Sequence, residues 1–326
     1  MKGEGKFIAL LAKYIMRFLF FDIECSNNFN GIGKMCEFGY ILTDENFKVL
    51  EKDEIVMSPG YGGGSSFHLR SGKGGKGISL AYDYDYYFTQ PMFPYFYDRI
   101  KNLIENDNQI CFAWSSDNDM AYLYQNCERY GKEQFNYVCY DIQKIADKFL
   151  NSERCLSLKE ACKMLVGVNA IIKLQEHLSS DDAKMTMLAF QAVCTKLNID
   201  SLTLLEQSEY AKDVAEEYIV RYIAANELKE KTKRKRNYYK SIVKSDKNII
   251  TDETKRYMLS SEFIEKTDDL QSIVKRIHET NSVLVNSVDI ADFILAFDED
   301  DKNKIITEID NDKTIVLLLN EIECKV

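Results

Sequence analysis

The chain has 326 residues, room for one large domain and a small one. An apolar content of 45% with only three prolines excludes a largely disordered chain, because a packed core can be built. A net charge of −10 argues against general coating of nucleic acid, while leaving room for a local basic patch that grips one strand. Nine cysteines form no C-x-x-C pair, and with three histidines a zinc ribbon or finger is not expected. An odd number of dispersed thiols suits reduced, buried cysteines and a cytoplasmic location.

Residues 7–21 are mostly apolar, but Lys13 and Arg17 interrupt them and no small-residue cleavage site follows. A membrane span needs about 20 largely uncharged residues, so neither a signal peptide nor a membrane partner is expected. Met16 reads as the natural start, with residues 1–15 an N-terminal extension. The first strand is expected over 17–24, where Phe18, Leu19, Phe20 and Phe21 lead into Asp22-Ile23-Glu24. Side chains alternate across a strand, so both carboxylates point to the same side. Two like charges that close are costly unless something positive lies between them, and a divalent cation with oxygen ligands is the usual answer.

Residues 36–43 and 47–57 read as further strands of a meander, with a turn at 44–46. Residues 60–77 hold eight of the fifteen glycines with Arg70, Lys73 and Lys76 and no acid. This predicts a basic loop, either a solvated surface insertion or a flap that touches phosphates. Helical spacing predicts a helix over 92–106, followed by a buried strand at 109–114. Helices are then expected from Asp117 or Asn118 to Tyr130, over 141–150, 157–166, 181–196 and 201–206, with a short strand at 136–140. Ser157 with Glu160 three residues later is a capping box. Residues 229–240 carry seven basic residues and one acid. They read as a solvated linker or as a phosphate-binding stripe containing Lys233, Arg234, Lys235 and Arg236. Beyond them, strands at 255–264, within 282–297 and at 314–319, with helices at 268–280 and 302–309, give a β-α-β-β-α-β order and a small α/β domain.

More oxygen ligands are needed for a cation, and two places supply them. Asp119 follows a buried strand at the start of a helix; Asp117 reads as the cap. Asp182, next to Asp181, opens a helix five residues after His177. A helix N-terminus favours negative charge.

In this order, Phe20-Phe21-Asp22-Ile23-Glu24, then Glu37-Phe38-Gly39, then Trp114 to Asp119, then His177 to Asp182, residues 17–200 resemble the DEDD exonucleases with histidine in the third motif. That family includes the proofreading subunit of bacterial replicative polymerases and several exoribonucleases. The sequence departs from it at Cys25, where Thr or Ser usually follows, and at Trp114-Ser115 and Asn118, which leaves RNA versus DNA open. The resemblance implies an α/β fold with a ribonuclease-H-like mixed sheet flanked by helices. It implies two Mg²⁺ or Mn²⁺ ions on Asp22, Glu24, Asp119 and Asp182, with His177 as general base. It also implies a 3′–5′ exonuclease acting on single-stranded DNA or RNA with a free 3′ end, with Trp114 placed at the nucleic acid. The expected domains are an exonuclease domain over 16–226, a basic linker over 227–248 and a small α/β domain over 249–326. The last resembles BRCT-like domains, which would recruit a protein partner or hold the substrate. A catalytically silent binding module on the same fold is the alternative.

Overall fold

The computed structural model describes residues 16–29, 32–60, 80–251, 253–309 and 313–322. The expected extension at 1–15 lies outside these residues, and so does nearly all of the glycine-rich segment, with Arg70, Lys73 and Lys76. The chain divides into two compact units between Tyr222 and Ile223.

The first unit is built on β1 (Arg17–Phe29), which pairs antiparallel with β2 (Ile32–Asp44), itself antiparallel to β3 (Val49–Val56). On its other edge β1 is parallel to β4 (Gln109–Ala113), then follow parallel β5 (Val138–Asp141) and antiparallel β6 (Lys212–Val214). The order β3-β2-β1-β4-β5-β6 is a ribonuclease-H-like mixed sheet. Its helices are α1 (Tyr84–Thr89), α2 (Phe93–Ile104), α3 (Ser116–Tyr130), α4 (Ile142–Phe149), α5 (Leu158–Leu165), α6 (Val168–Ile171), α7 (Ser179–Leu197) and α8 (Ser201–Glu206).

The apolar run of β1 explains its central place. Phe18 and Phe20 enter one core with Phe112 and Phe190, while Leu19, Phe21 and Ile23 enter a second core on the opposite face with Phe38 and Tyr97. A strand buried on both faces needs a continuous apolar sequence rather than an alternating one. Phe20 and Phe112 stack at 4.6 Å between centroids. Asp22 and Glu24 continue the Phe18–Phe20 face, and α7 packs across that part of β1 and β2.

Gly131 ends α3 in the left-handed conformation (φ 60°), as a C-terminal glycine should. The capping box of α5 forms, with Ser157 and Glu160 bonding reciprocally.

In the second unit β7 (Lys255–Leu259), β8 (Ser282–Leu284), β9 (Phe293–Ala296) and β10 (Ile315–Leu318) form an all-parallel sheet in the order β10-β9-β7-β8. The strand expected over 255–264 stops at Leu259, because the Ser260 hydroxyl accepts from Phe263 N–H and starts α10 (Ser261–Lys266). Helices α11 (Leu270–Glu279), α12 (Glu299–Glu308) and α13 (Leu319–Ile322) complete this part. The basic stretch expected as a linker is helical, within α9 (Ala215–Asp246), and its Tyr239 and Val243 are buried in the core of this unit. Among the described residues no helix is long and apolar enough to cross a membrane.

Candidate active site

Asp22 and Glu24 stand at the end of the regular part of β1; the register with β2 shifts immediately after Glu24. Such an irregularity bends a strand and re-aims its side chains. β1 pairs with β4 only as far as Phe20 and Phe112, and past that point Asp119 meets its open edge. The Ile23 N–H donates to Asp119 Oδ1 at 3.0 Å, joining positions 96 residues apart. Asp117 is exposed, whereas Asp119 is buried.

The turn that delivers Asp119 is itself held. Ser115 adopts the left-handed region (φ 59°), and its N–H donates to Asp141 Oδ1 at 3.1 Å. Asp141 also caps α4 by accepting from Gln143 N–H and Lys144 N–H. Beside it, buried Asp213 accepts from the Ser116 hydroxyl at 2.9 Å and from Lys144 Nζ at 2.7 Å.

The third segment comes from the start of α7. His177 sits at φ 65°, an uncommon conformation for a residue with a side chain. Its N–H donates to Asp182 Oδ2 at 2.9 Å, and its Nδ1 lies 3.2 Å from Glu24 Oε1. Asp181 faces elsewhere, pairing with Lys52 at 3.0 Å and accepting from Gln175 N–H. Gly39 lies opposite Asp22 in β2, where the N-terminus of α7 presses against the strand. Glu37, opposite Glu24 and fully buried, accepts from Ser179 N–H at 3.2 Å and from the Tyr87 hydroxyl.

Ligand atoms of Glu24, His177 and Asp182 lie within 4.8 Å of one another, the one such cluster among the described residues. Asp22 and Asp119 stand outside that tightest trio but share its charge. Burial pushes the Asp22 carboxyl well up, and the charges of Asp182, Asp119, Glu24 and Glu37 add to it. Burial likewise raises Asp119, against the hydrogen bond from Ile23. Asp182 is pushed up to about 7, by burial first and then by Glu24. The hydrogen bond to Glu24 raises the His177 imidazole. Asp22 Oδ2 and Asp182 Oδ1 are shut off from solvent, with no hydrogen-bond partner among the described residues. Buried carboxylate oxygens that lack donors and repel each other suit a hard divalent cation, so this set of residues fits such an ion.

Of the residues expected at nucleic acid, Arg70, Lys73 and Lys76 lie outside the described residues. Trp114 is buried in the Phe18–Phe112 core, and its indole N–H has no hydrogen-bond partner among the described residues. Arg234 is exposed; Lys233 pairs with Glu230 at 3.1 Å, Lys235 donates to the Glu265 carbonyl at 2.8 Å, and Arg236 pairs with Glu265. Tyr87 and Asp141 were not singled out from sequence. A charged residue inside an apolar strand was the available signal for Glu37; nothing in the tyrosine-rich stretch distinguishes Tyr87.

The first unit is thus an α/β protein of ribonuclease-H-like sheet order, with an acidic site that carries a histidine. No family model and no curated protein sequence matches the chain. Among solved structures it is similar to a full-length 3′-exonuclease, at 11% identity over 57% of this chain and 62% of that one, with a TM-score of 0.42. It is also similar to the nuclease domain of 3′hExo, a DEDDh family member bound to rAMP, at 12% identity over 57% of this chain and 94% of that one, with a TM-score of 0.41. A third is E. coli exonuclease I in complex with a dA16 oligonucleotide, at 14% identity over 59% and 42% of the two chains, with a TM-score of 0.40. The chain therefore spans less than two thirds of the first and third of these. At such identities and TM-scores the likeness carries no argument about activity, which rests on this chain's own side chains.

Proposed function

We propose that the chain is a metal-dependent 3′–5′ exonuclease that releases nucleoside 5′-monophosphates from single-stranded nucleic acid. One observation carries the reading: the enclosed oxygens of Asp22 and Asp182, unpartnered among the described residues, lie at a site where the Glu24 carboxylate meets the His177 imidazole. Asp22, Glu24, Asp119 and Asp182 would hold two divalent ions. Such ions supply positive charge at the scissile phosphate and make water more acidic.

The protein's own groups do the rest. An ionised carboxylate can only accept, so Glu24 accepts a hydrogen bond from the Nδ1–H of His177, which leaves Nε2 as the base for water. Asp182 anchors the His177 main chain, which fixes the ring's starting point. Asp119 is tied to the backbone of β1, so the second and first motifs move as one. Direction and product follow the DEDD resemblance of the motifs. The buried free cysteines support a reducing compartment, and we place the protein in the cytoplasm. The second unit, with its parallel sheet of β7 to β10, is proposed to recruit a protein partner or to hold the strand.

The test uses matched RNA and DNA oligonucleotides labelled at the 5′ end, incubated with the full chain and Mn²⁺ or with chelator. A ladder shortening from the 3′ end, abolished by chelator, is expected. Intact substrate with manganese present, under all strand chemistries, overturns the reading in favour of a silent binding module.

A further inference from the structure

We propose that Tyr87 is a positioning residue: through the buried carboxylate of Glu37 it holds the start of α7, and with it His177 and Asp182, in the reactive arrangement. The proposal rests on the exonuclease reading and names a control of that same site.

The start of α7 has a problem that its own sequence does not solve. The residue at its N-cap is Leu178, which has no side-chain oxygen to offer the free N–H groups of the first turn. The missing acceptor arrives from β2. Glu37 Oε2 accepts from Ser179 N–H at 3.2 Å, across 142 residues of sequence. A carboxylate at this point is doubly suited, as acceptor and as a negative charge at the positive end of the helix dipole. Ser179 is two residues from His177 and three from Asp182, so whatever fixes Ser179 fixes both.

Glu37 cannot hold that position unaided. It is fully buried, and the charges of Glu54 and Glu24 face it. A buried carboxylate needs donors on both oxygens. The Tyr87 hydroxyl donates to Oε1, the oxygen not used by Ser179. Tyr87 is fully buried too, packed with Cys36 and Leu80, and its hydroxyl accepts from Tyr82 N–H at 3.3 Å. A rigid phenol therefore sets the side-chain angle of Glu37, and Glu37 sets the angle at which α7 leaves the sheet. Tyr87 has no contact with reacting groups in this scheme. It acts only through geometry, where a displacement of about 1 Å costs on the order of 10²-fold in rate.

Three variants of the full chain test this: Tyr87→Phe, Glu37→Ala and Glu37→Gln. Glu37→Gln keeps an oxygen for Ser179 N–H and offers its amide N–H to the Tyr87 oxygen, so it should restore the link. Two readouts are taken. In metal-free protein, amide hydrogen exchange over 177–182 should quicken several-fold in Tyr87→Phe and more in Glu37→Ala, with exchange in β1 and β4 unchanged. With Mn²⁺ and a labelled oligonucleotide, kcat should fall about tenfold in Tyr87→Phe with KM unchanged, and Glu37→Gln should remain within about threefold of the parent. Unaltered exchange over 177–182 in both Tyr87→Phe and Glu37→Ala overturns the proposal. So does a loosening spread evenly over the sheet, which would mean a merely structural role. If the parent chain cuts nothing, the exonuclease reading falls, and the exchange measurement alone still decides whether Tyr87 positions α7.

Discussion

A β-carbon added to Gly39 would lie 2.1 Å from the backbone nitrogen of Ser180. Glycine at this position is what allows the N-terminus of α7 to lie directly on β2, opposite Asp22. Gly39→Ala must push the helix off the strand, because the clashing atoms are backbone and cannot rotate away. Asp182 and His177 move with it. The variant is expected to fold with a loss of about 1–3 kcal/mol, the usual range for overpacking, while activity falls about 10²-fold. Urea unfolding and initial rates on a labelled oligonucleotide measure the two effects. Full activity in Gly39→Ala would show that the close approach is not needed.

Asp22 and Asp182 oppose each other electrostatically in the metal-free protein. Neutralising either as Asn removes repulsion along with a proposed ligand. Asp22→Asn and Asp182→Asn should therefore abolish turnover without lowering the melting temperature of the metal-free chain. The parent should gain stability from Mn²⁺, about 2.7 kcal/mol at a hundredfold excess over Kd, and the variants should gain far less. Thermal melts with and without Mn²⁺ check both signs. A parent chain whose melting is indifferent to Mn²⁺, Mg²⁺ and chelator would contradict the proposed cation site.

Much of this site was legible because chemistry and local structure agree there. The run Phe18–Phe21 announces a strand buried on both faces, and the D-x-E at its end has no core role to explain it. His177 and Asp182 were legible from spacing at the start of a helix. What escaped notice depends on long-range contact. β6 is three residues long, too short for any periodicity. The 32 residues of α9 are polar nearly all round, so their pattern resembles a linker. Trp114 was expected at the nucleic acid from its place in a motif, and its ring is buried in the core, as the strand reading of 109–114 implies. Tyr87 is one of 20 tyrosines, and only the fold shows that its hydroxyl meets Glu37.

The second unit offers a test that is independent of metal. Arg256 donates to Asp292 from Nη2 at 2.7 Å, from Nε at 3.1 Å and from its main-chain N–H at 2.8 Å. These hydrogen bonds hold the Asp292 carboxyl below its usual range. A depressed folded value means the pair stabilises fully above the unfolded value of about 3.9, and the contribution is lost as pH falls through the folded one. Asp292→Asn should therefore be less stable than the parent at pH 7, with the gap closing as the pH falls below the unfolded value. Urea midpoints for the two proteins across this range measure it. A gap that is the same at both ends would assign the effect to packing and not to charge.

His177 separates base catalysis from metal ligation. Its side chain lies close enough to Glu24 and Asp182 to join a cation site, and its Nδ1 already faces Glu24. If Nε2 serves as the base, His177→Ala should lower kcat by about 10²–10⁴-fold while Mn²⁺ still raises the melting temperature as in the parent. The strained backbone adds a control. At φ 65° histidine is tolerated better than alanine, so the melting temperature of the metal-free variant is measured beside its rate. A small external imidazole should recover part of the lost rate, since it can occupy the space vacated beside Glu24. Loss of the manganese-induced shift together with the rate would instead make His177 a ligand, and proton removal would then have to fall to another group at the acid cluster.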